Sequence, residues 1–583
     1  MPKLRQNLPH ALLLSIVVLL LWSFREGHLR AREGVDFTDE SFYVALPYRF
    51  ALGDQPFRDE IAVHQTAALL AYPAVKAYVM LKDGPDGLVL FTRRLFLILA
   101  WSVAGVVFLC SKKDLGYGPA GMIGLACVTF AGIPIANVSY NTLGMAGLCL
   151  TLFLTFGSRP HPTWHRGVAI GVCLGLTSTA YPTLIVAAPF LVGYLTWHHQ
   201  RQRRLPVVLA IASGVALGLA PLALTTIWIG PEHLADAIAL TNKSAPKLGG
   251  SDKLLNIMAF LGSCVAIWPT ALLLLSAVVA RKFSSAGRVI PLVECLAVVS
   301  TFLQIRVNGE IRPILDWAPV LVSIGLLAPA LAVGKWQAPL TKSLMLGVWL
   351  PSLVCGITTA FTSSEGTFNF PIGGFPMTLA SLALILAPAS GETKPTQARL
   401  AVVTRAFLLV LVGLGIVLAT RARREYVYRD ERPAGLTQEL KSGPFAGICT
   451  NQPKAKLLTD LEEVLEAKVP KEARIIFYND FPAGFLLSKR RPAICGVWVY
   501  TLDQETAFRS MYVECSKRMV VEPTFVVQML GDPKMTNLQP IPPVPGDPFN
   551  ELIEKCRGED VAKTENYRVS RLDANCVGAA RQI

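Results

Sequence analysis

The stretch "FTDESFYVALPYRFALGDQPFRDE" (37–60) carries Asp39, Glu40, Asp54, Asp59 and Glu60 in close succession. A carboxylate within hydrogen-bond reach of a hydroxyl can take its proton as that oxygen attacks an electrophilic carbon. If the leaving group is already good, as a phosphate is, one such base suffices. The departing charge then needs a cation. Read as the start of a helix, "TDESFYVALPYRF" places Asp39 in the first turn and Tyr43 four residues on, on the same face. Helix capping competes with this reading, because acids complement exposed N–H groups and the helix dipole. Capping suits Asp36 and Glu40. It does not explain the further acids at 54, 59 and 60.

Cations for a departing phosphate are available. Arg306 and Arg312 precede an apolar segment, and an arginine fork suits phosphate. Lys243, with Lys247, is a further candidate. Arg58, Arg93 and Arg94 could do the same or could reach to lipid headgroups. Tyr140 and Asn141 in "VSYNT" could hydrogen-bond a sugar or simply end a helix. His64 follows Asp59 and Glu60, but this spacing is weak for a metal site and a loop histidine is the plainer reading. Asp316, about one turn inside an apolar helix, should point into the bundle or a cavity.

The elements that must position these groups are membrane helices. The chain of 583 residues is 52% hydrophobic and 16% charged, with mean hydropathy +0.45. Apolar stretches of spanning length recur without the alternation of a barrel strand. Helices are expected near 9–24, 91–110, 116–135, 142–157, 167–179, 183–198, 205–229, 254–280, 289–305, 313–333, 342–361, 375–390 and 400–420, about thirteen in all. The first reads as a retained helix, since "REGHLRARE" offers no small-residue cleavage site. The segment 66–81, with Pro73 and Lys76, is shorter and suits an interfacial or re-entrant helix.

Loops on the N-terminal side hold 16 basic residues against Asp114 and Glu392, whereas the short opposite loops are balanced. The positive-inside rule then makes the N-terminus cytoplasmic and the first loop and tail extracytoplasmic. That surplus equals the formal charge of +14, so the basic balance reports orientation and gives no support to nucleic-acid binding. The expected division is a transmembrane region, 1–420, whose first outer loop is 25–90, and an extracytoplasmic α/β domain, 421–583. In the latter, 454–469 has helical spacing, while 473–480, 496–501 and 524–530 read as buried strands and 540–550 as a proline-rich loop. Of twelve cysteines, Cys449, Cys495, Cys515, Cys556 and Cys576 fall in this domain, where one or two disulfides are expected if the compartment is oxidising.

The first loop resembles that of GT-C glycosyltransferases, closest to bacterial members of the group containing protein O-mannosyltransferases and the aminoarabinose transferase acting on lipid A. Their D-E-x-x-Y start is similar to Asp39, Glu40 and Tyr43. Their G-x-x-P-[FY]-x-D stretch is similar to Gly53, Pro56, Phe57 and Asp59. "VSYNTLG" (138–144), "GEIRPILDWAPVL" (309–321) and the tail from 443 carry weaker likeness. The resemblance implies a multi-pass GT-C fold in the cell's inner (plasma) membrane. It implies inverting transfer of a sugar from a polyprenyl-phosphate donor to an acceptor on the outer face, protein, lipid or glycan. It gives Asp39 the general-base role, Asp59 a second acidic position, and Arg312 and Arg306 the phosphate. No cofactor is expected. A divalent metal stays open, because metal-dependent oligosaccharyltransferases belong to the same superfamily. An oligosaccharyltransferase or polymer ligase is the alternative within this class. A membrane transporter is the alternative outside it, although near-absence of central charges and of repeats speaks against transport.

Overall fold

The computed structural model describes residues 2–61, 64–130, 133–158, 163–198, 204–244, 251–264, 317–333, 336–363, 365–387, 395–499, 513, 516–517, 519–542 and 548–579. The helix expected at 289–305, most of 254–280, and Arg306, Arg312 and Asp316 lie outside the described residues.

Among the described residues the N-terminal part is mainly helical. α1 (Pro2–Arg30) leads through residues 31–38 to α2 (Asp39–Ala51) and α3 (Gln65–Lys82). α4 (Leu88–Leu115), α5 (Tyr117–Thr129), α6 (Tyr140–Gly157), α7 (Trp164–Ala180), α8 (Ala187–His198) and α9 (Arg204–Ile229) follow. α10 (Pro231–Ser244), unforeseen in the sequence, and α11 (Ser251–Ser263) precede α12 (Trp317–Leu326) and α13 (Ala328–Val333). α14 (Pro339–Thr362), α15 (Gly366–Leu386) and the long α16 (Pro395–Glu425) complete the region. Six described helices are long and apolar enough to cross a membrane: α4, α6, α9, α14, α15 and the Arg405–Glu425 part of α16. α3 is not among them.

Helix starts and crossings follow local chemistry. Ser139 caps α6: its hydroxyl accepts from Thr142 N, and Thr142 Oγ1 accepts from Ser139 N at 2.8 Å. This reciprocal cap satisfies two otherwise orphaned donors. α7 and α9 cross with backbones nearly touching. A Cβ at Gly171 would lie 2.2 Å from Ile211 O, and one at Gly214 would lie 2.2 Å from Val168 O. Such small-residue contacts replace the hydrophobic drive that lipid cannot supply.

The tail holds a five-stranded mixed sheet, ordered β4-β3-β5-β7-β6. A short hairpin comes first, β1 (Gln438–Glu439) against β2 (Cys449–Thr450), followed by α17 (Gln452–Lys468). β3 (Arg474–Tyr478) is parallel to both β4 (Arg491–Pro492) and β5 (Thr524–Met529). Short α18 (Gly484–Leu487) joins β3 to β4. α19 (Pro548–Cys556), β6 (Arg557–Lys563), β7 (Tyr567–Leu572) and α20 (Ala574–Ala579) close the chain. Residues 496–499 are buried but form no strand. Their backbone groups are committed elsewhere: Val497 N donates to Glu60 Oε2 at 3.0 Å, and Val499 O accepts from Asp480 N at 3.0 Å. Within the stretch expected as a loop, Pro548 instead opens α19, where a proline's missing N–H costs nothing. A disulfide joins Cys556 to Cys576. Cys495 is also disulfide-bonded, and Cys449 is a free thiol.

The first loop and the tail share one core. Phe37, Phe42, Val44, Tyr48 and Val75 cluster with Phe445, Leu461, Ile476, Phe477, Phe481 and Val527. Backbone bonds stitch the two: Gly34 N to Cys449 O at 2.8 Å, Gly87 N to Gly443 O at 2.9 Å, and Val89 N to Pro444 O at 3.0 Å. Gly34 must be glycine here. Its φ is +75°, and a Cβ would lie 2.0 Å from Val427 Cγ1.

Candidate active site

The structure sorts the acids of the first loop by what holds them. Asp36 caps α2: its carboxylate accepts from Thr38 N at 3.0 Å, Thr38 Oγ1 at 2.6 Å and Glu40 N at 2.8 Å. Glu40 is buried in a two-pronged pair with Arg93 of α4, with Nε–Oε1 at 2.6 Å and Nη2–Oε2 at 2.5 Å, and also accepts from Asn137 at 2.9 Å. Arg93 further donates to the carbonyls of Ala31, Glu33 and Gly34. Asp54 pairs with buried Arg49, and Glu60 reaches Val497 of the tail. Asp59 Oδ2 accepts from Gln55 N at 2.8 Å, bracing its own turn. The clustering of acids in one loop is thus largely architectural.

Asp39 differs. It opens α2, keeps 20% of its side chain exposed, and is held from the tail side. Tyr428 donates its hydroxyl to Asp39 Oδ2 at 2.7 Å, and Arg429 Nη1 lies 2.8 Å from the same oxygen. The Arg429 contact is coulombic: its N–H bonds are not aligned on the oxygen. Burial pushes the Asp39 carboxyl up to about 6, with Asp36 adding to the rise and Arg429, Tyr428 and Lys534 opposing it. A carboxylate tuned to this range is ionised at neutral pH yet basic enough to accept a proton.

Arg429 is set by its backbone. Its φ is +55°, a left-handed position unusual for a side chain of this size. Lys454 of α17, fully buried, donates to the carbonyls of Val35 and Arg429. Asp430 accepts from Val35 N at 2.8 Å, Thr450 Oγ1 at 2.6 Å and Asn451 Nδ2 at 3.0 Å. These pins fix the segment leaving α16 against the segment entering α2. Although burial disfavours its charge, Asp36 and Asp39 raise the Arg429 pKa overall, so it stays cationic.

Tyr43 projects one turn beyond Asp39 into an aromatic group. Its ring centroid lies 5.5 Å from Tyr140, which lies 4.1 Å from His64 and 5.7 Å from Tyr181. Burial keeps the Tyr43 hydroxyl protonated and lowers His64 to about 4, leaving a neutral imidazole. Asn141 Oδ1 is buried without a hydrogen-bond partner. Arg58 and Arg94 are exposed. Lys243 lies in α10, but its side chain, like Lys247, lies outside the described residues. Among the described residues no three His, Cys, Asp or Glu side chains come together as a metal-binding group.

Asp39 with Tyr43, Tyr140 and Asn141 were readable from the sequence as candidates. Tyr428 and Arg429 were missed. Nothing in "EYVYRDERP" signals them, because the acid they hold lies 389 residues before Tyr428.

Fold and site together define a membrane-embedded helical protein whose C-terminal α/β domain packs on its first loop around one basic-range carboxylate. No protein-family model matches the chain, and no curated protein matches it. Among solved structures it is similar to the Archaeoglobus fulgidus oligosaccharyltransferase in complex with zinc and sulfate, at 11% identity and TM-score 0.48, over 88% of this chain and 68% of that one. It is also similar to ArnT from Cupriavidus metallidurans bound to undecaprenyl phosphate, at 13% identity and TM-score 0.43, over 97% of this chain and 98% of that one. Both TM-scores lie below 0.5, so the chemistry assigned below stands on this chain's own residues.

Proposed function

We propose that this chain is a GT-C glycosyltransferase of the inner (plasma) membrane. It transfers a sugar from a polyprenyl-phosphate donor to a hydroxyl of an acceptor on the outer face. Asp39 is the general base. Its carboxylate takes the acceptor's proton as the new oxygen–carbon bond forms at the anomeric centre. The carbon–oxygen bond to phosphate breaks on the opposite side, its electron pair leaves with the lipid phosphate, and the centre inverts. A phosphate leaving group needs no acid, so one base completes the proton account.

The observation that carries this reading is the singularity of Asp39 in its loop. Asp36, Glu40, Asp54, Asp59 and Glu60 close structural bonds, while Asp39 stays partly exposed with its carboxyl raised to about 6. Arg429 and Tyr428 hold its orientation. Arg429 is assigned to follow negative charge from the base to the departing phosphate, and Arg306, Arg312 and Lys243 remain the sequence's own candidates for that phosphate. The rings of Tyr43 and Tyr140, with Asn141 beside them, offer a platform for the donor sugar.

The test is Asp39→Asn in the full chain, reconstituted with lipid extract from the deletion strain, in which the unused lipid-linked sugar accumulates and is identified by mass. The variant should lose transfer while keeping expression and folding. Full transfer by the variant removes the base assignment. Loss of wild-type activity on chelation would move the reading toward a metal-dependent oligosaccharyltransferase.

A further inference from the structure

The carboxyl ends of β3 and β5 carry polar groups that the transfer step does not use. The two strands are parallel neighbours in the middle of the sheet, in register from Arg474↔Thr524 to Tyr478↔Gln528. Ligands of open α/β sheets bind beyond such strand ends, where the departing loops leave a crevice. Asn479 and Asp480 follow β3 directly, and Lys534 follows β5. Lys534 Nζ lies 2.9 Å from Asp480 Oδ2, and Trp498 Nε1 donates to Asp480 Oδ1 at 2.8 Å. Asp480 is buried, whereas Lys534 keeps 27% of its side chain exposed.

Two features set this edge apart from an ordinary turn. Asn479 and Asp480 are both left-handed, with φ of 70° and 56°, a conformation that non-glycine residues hold only where their surroundings over-determine it. Asn479 is also 6% exposed, and its Oδ1 has no hydrogen-bond partner although its Nδ2 donates to Met529 O at 2.6 Å. Gln528 Oε1, at the end of β5, is likewise buried and unpaired. Buried acceptors left open are uncommon and costly.

The edge lies against the base. The rings of Phe37 and Phe481 are 5.3 Å apart, those of Phe42 and Trp498 5.1 Å, and Ala483 N donates to Phe37 O at 3.1 Å. These contacts bracket Asp39 from both sides in sequence. Lys534 is among the charges Asp39 feels, and Asp480 among those Arg429 feels.

We infer that this edge is the acceptor subsite and that the acceptor is a carbohydrate, gripped by Asp480, Lys534 and Asn479 with one hydroxyl delivered to Asp39. The inference rests on the base assignment above for that last step. The class follows from the donor set. A hydroxyl both donates and accepts, and this edge offers a carboxylate, an ammonium and an amide oxygen with its charges cancelled. An anionic acceptor would meet Asp480, and Lys534 is already neutralised. A peptide docking by strand addition would take an unpaired strand edge and would not engage Asp480, Lys534 and Asn479, which lie beyond the strand ends.

The test uses the full chain in nanodiscs with methyl hexosides as probes, read by saturation-transfer NMR, and a serine-containing hexapeptide as comparator. Hexoside ring protons should saturate in the wild type and in Asp39→Asn. Half-saturation should weaken about tenfold in Lys534→Met, the loss of one hydrogen bond from a charged donor, and recover in Lys534→Arg, each measured below that variant's unfolding temperature, which falls in Lys534→Met because buried Asp480 loses its counter-charge. No hexoside signal in the wild type, a signal indifferent to Lys534→Met, or saturation of the peptide alone would overturn the subsite. If hexosides bind as expected but Asp39→Asn retains transfer, the subsite stands and the base assignment falls.

Discussion

Removing Arg429 separates the base from the groups that tune it. Asp39 is faced by Asp36 from its own segment, by Tyr428 and Arg429 from the segment after α16, and by Lys534 beyond β5. Asp36 and burial raise its pKa, and the other three lower it. In Arg429→Met the cation at 2.8 Å is lost, so the carboxyl must rise from about 6. An opposite charge at such range is worth about 1–2 units, or about 1.4–2.7 kcal/mol, between partly solvated partners. The acidic limb of kcat/KM against pH should therefore move from near 6 to ~7–8. At pH 7 the ionised fraction of the base then falls ~2- to 10-fold relative to the variant's own plateau, and at pH 9 the deficit disappears. Any contribution of Arg429 to phosphate binding lowers the plateau height without moving the limb, so the two roles separate in one profile. The assay is sugar transfer in proteoliposomes from pH 5 to 9. A limb that stays near 6, or moves to lower pH, would show that Arg429 does not act on the base or that the base is not Asp39.

Tyr428→Phe should shift the same limb in the same direction by less, about half a unit to one unit, since it removes one hydrogen bond to the charged form. Asp39→Asn should stabilise the protein. The folded pKa is raised from 3.8 to about 6, so stability is lost as pH rises through that window, by up to about 3 kcal/mol above it. The variant's thermal unfolding should exceed wild type at pH 7.5 and match it below about pH 4. Glu40→Gln should behave oppositely. It leaves the buried Arg93 guanidinium without its counter-charge, at about 3–5 kcal/mol, and should be read as loss of monodisperse protein on detergent extraction, with the pH limb of surviving enzyme unmoved. Gly214→Val should lower the unfolding temperature through a clash with Val168 O, costing about 1–3 kcal/mol, whereas Gly193→Ala, with nothing within 4 Å of its Cβ, should not.

Much of this architecture was legible because it is local. The short helix expected at 66–81 is α3 at Gln65–Lys82, and strands expected at 473–480 and 524–530 are β3 and β5. Apolar runs mark helices in lipid reliably because backbone groups there have no other partner. Asp39 and Tyr43 were legible as a pair because a helix fixes their spacing. The roles of the neighbouring acids were not. That Glu40 meets Arg93 and Glu60 meets Val497 depends on how three separate segments fold together. The same holds for Arg429, whose left-handed backbone is imposed by Lys454 and Asp430 rather than by any turn residue of its own. Residues 496–499 carry strand-like composition, but Glu60 and Asp480 claim their backbone groups first.

The shared core of the first loop and the tail has a consequence for how the protein is made. Asp39 leaves the ribosome well ahead of its partners: Tyr428 follows 389 residues later, Arg429 next to it, and the sheet that buries Phe37 later still. A growing chain therefore exposes the acid without its tuning partners until the segment after α16 has been made. A product cut short before α17 lacks Lys454, which holds the Arg429 carbonyl, and so carries the acid without the support that orients its cation.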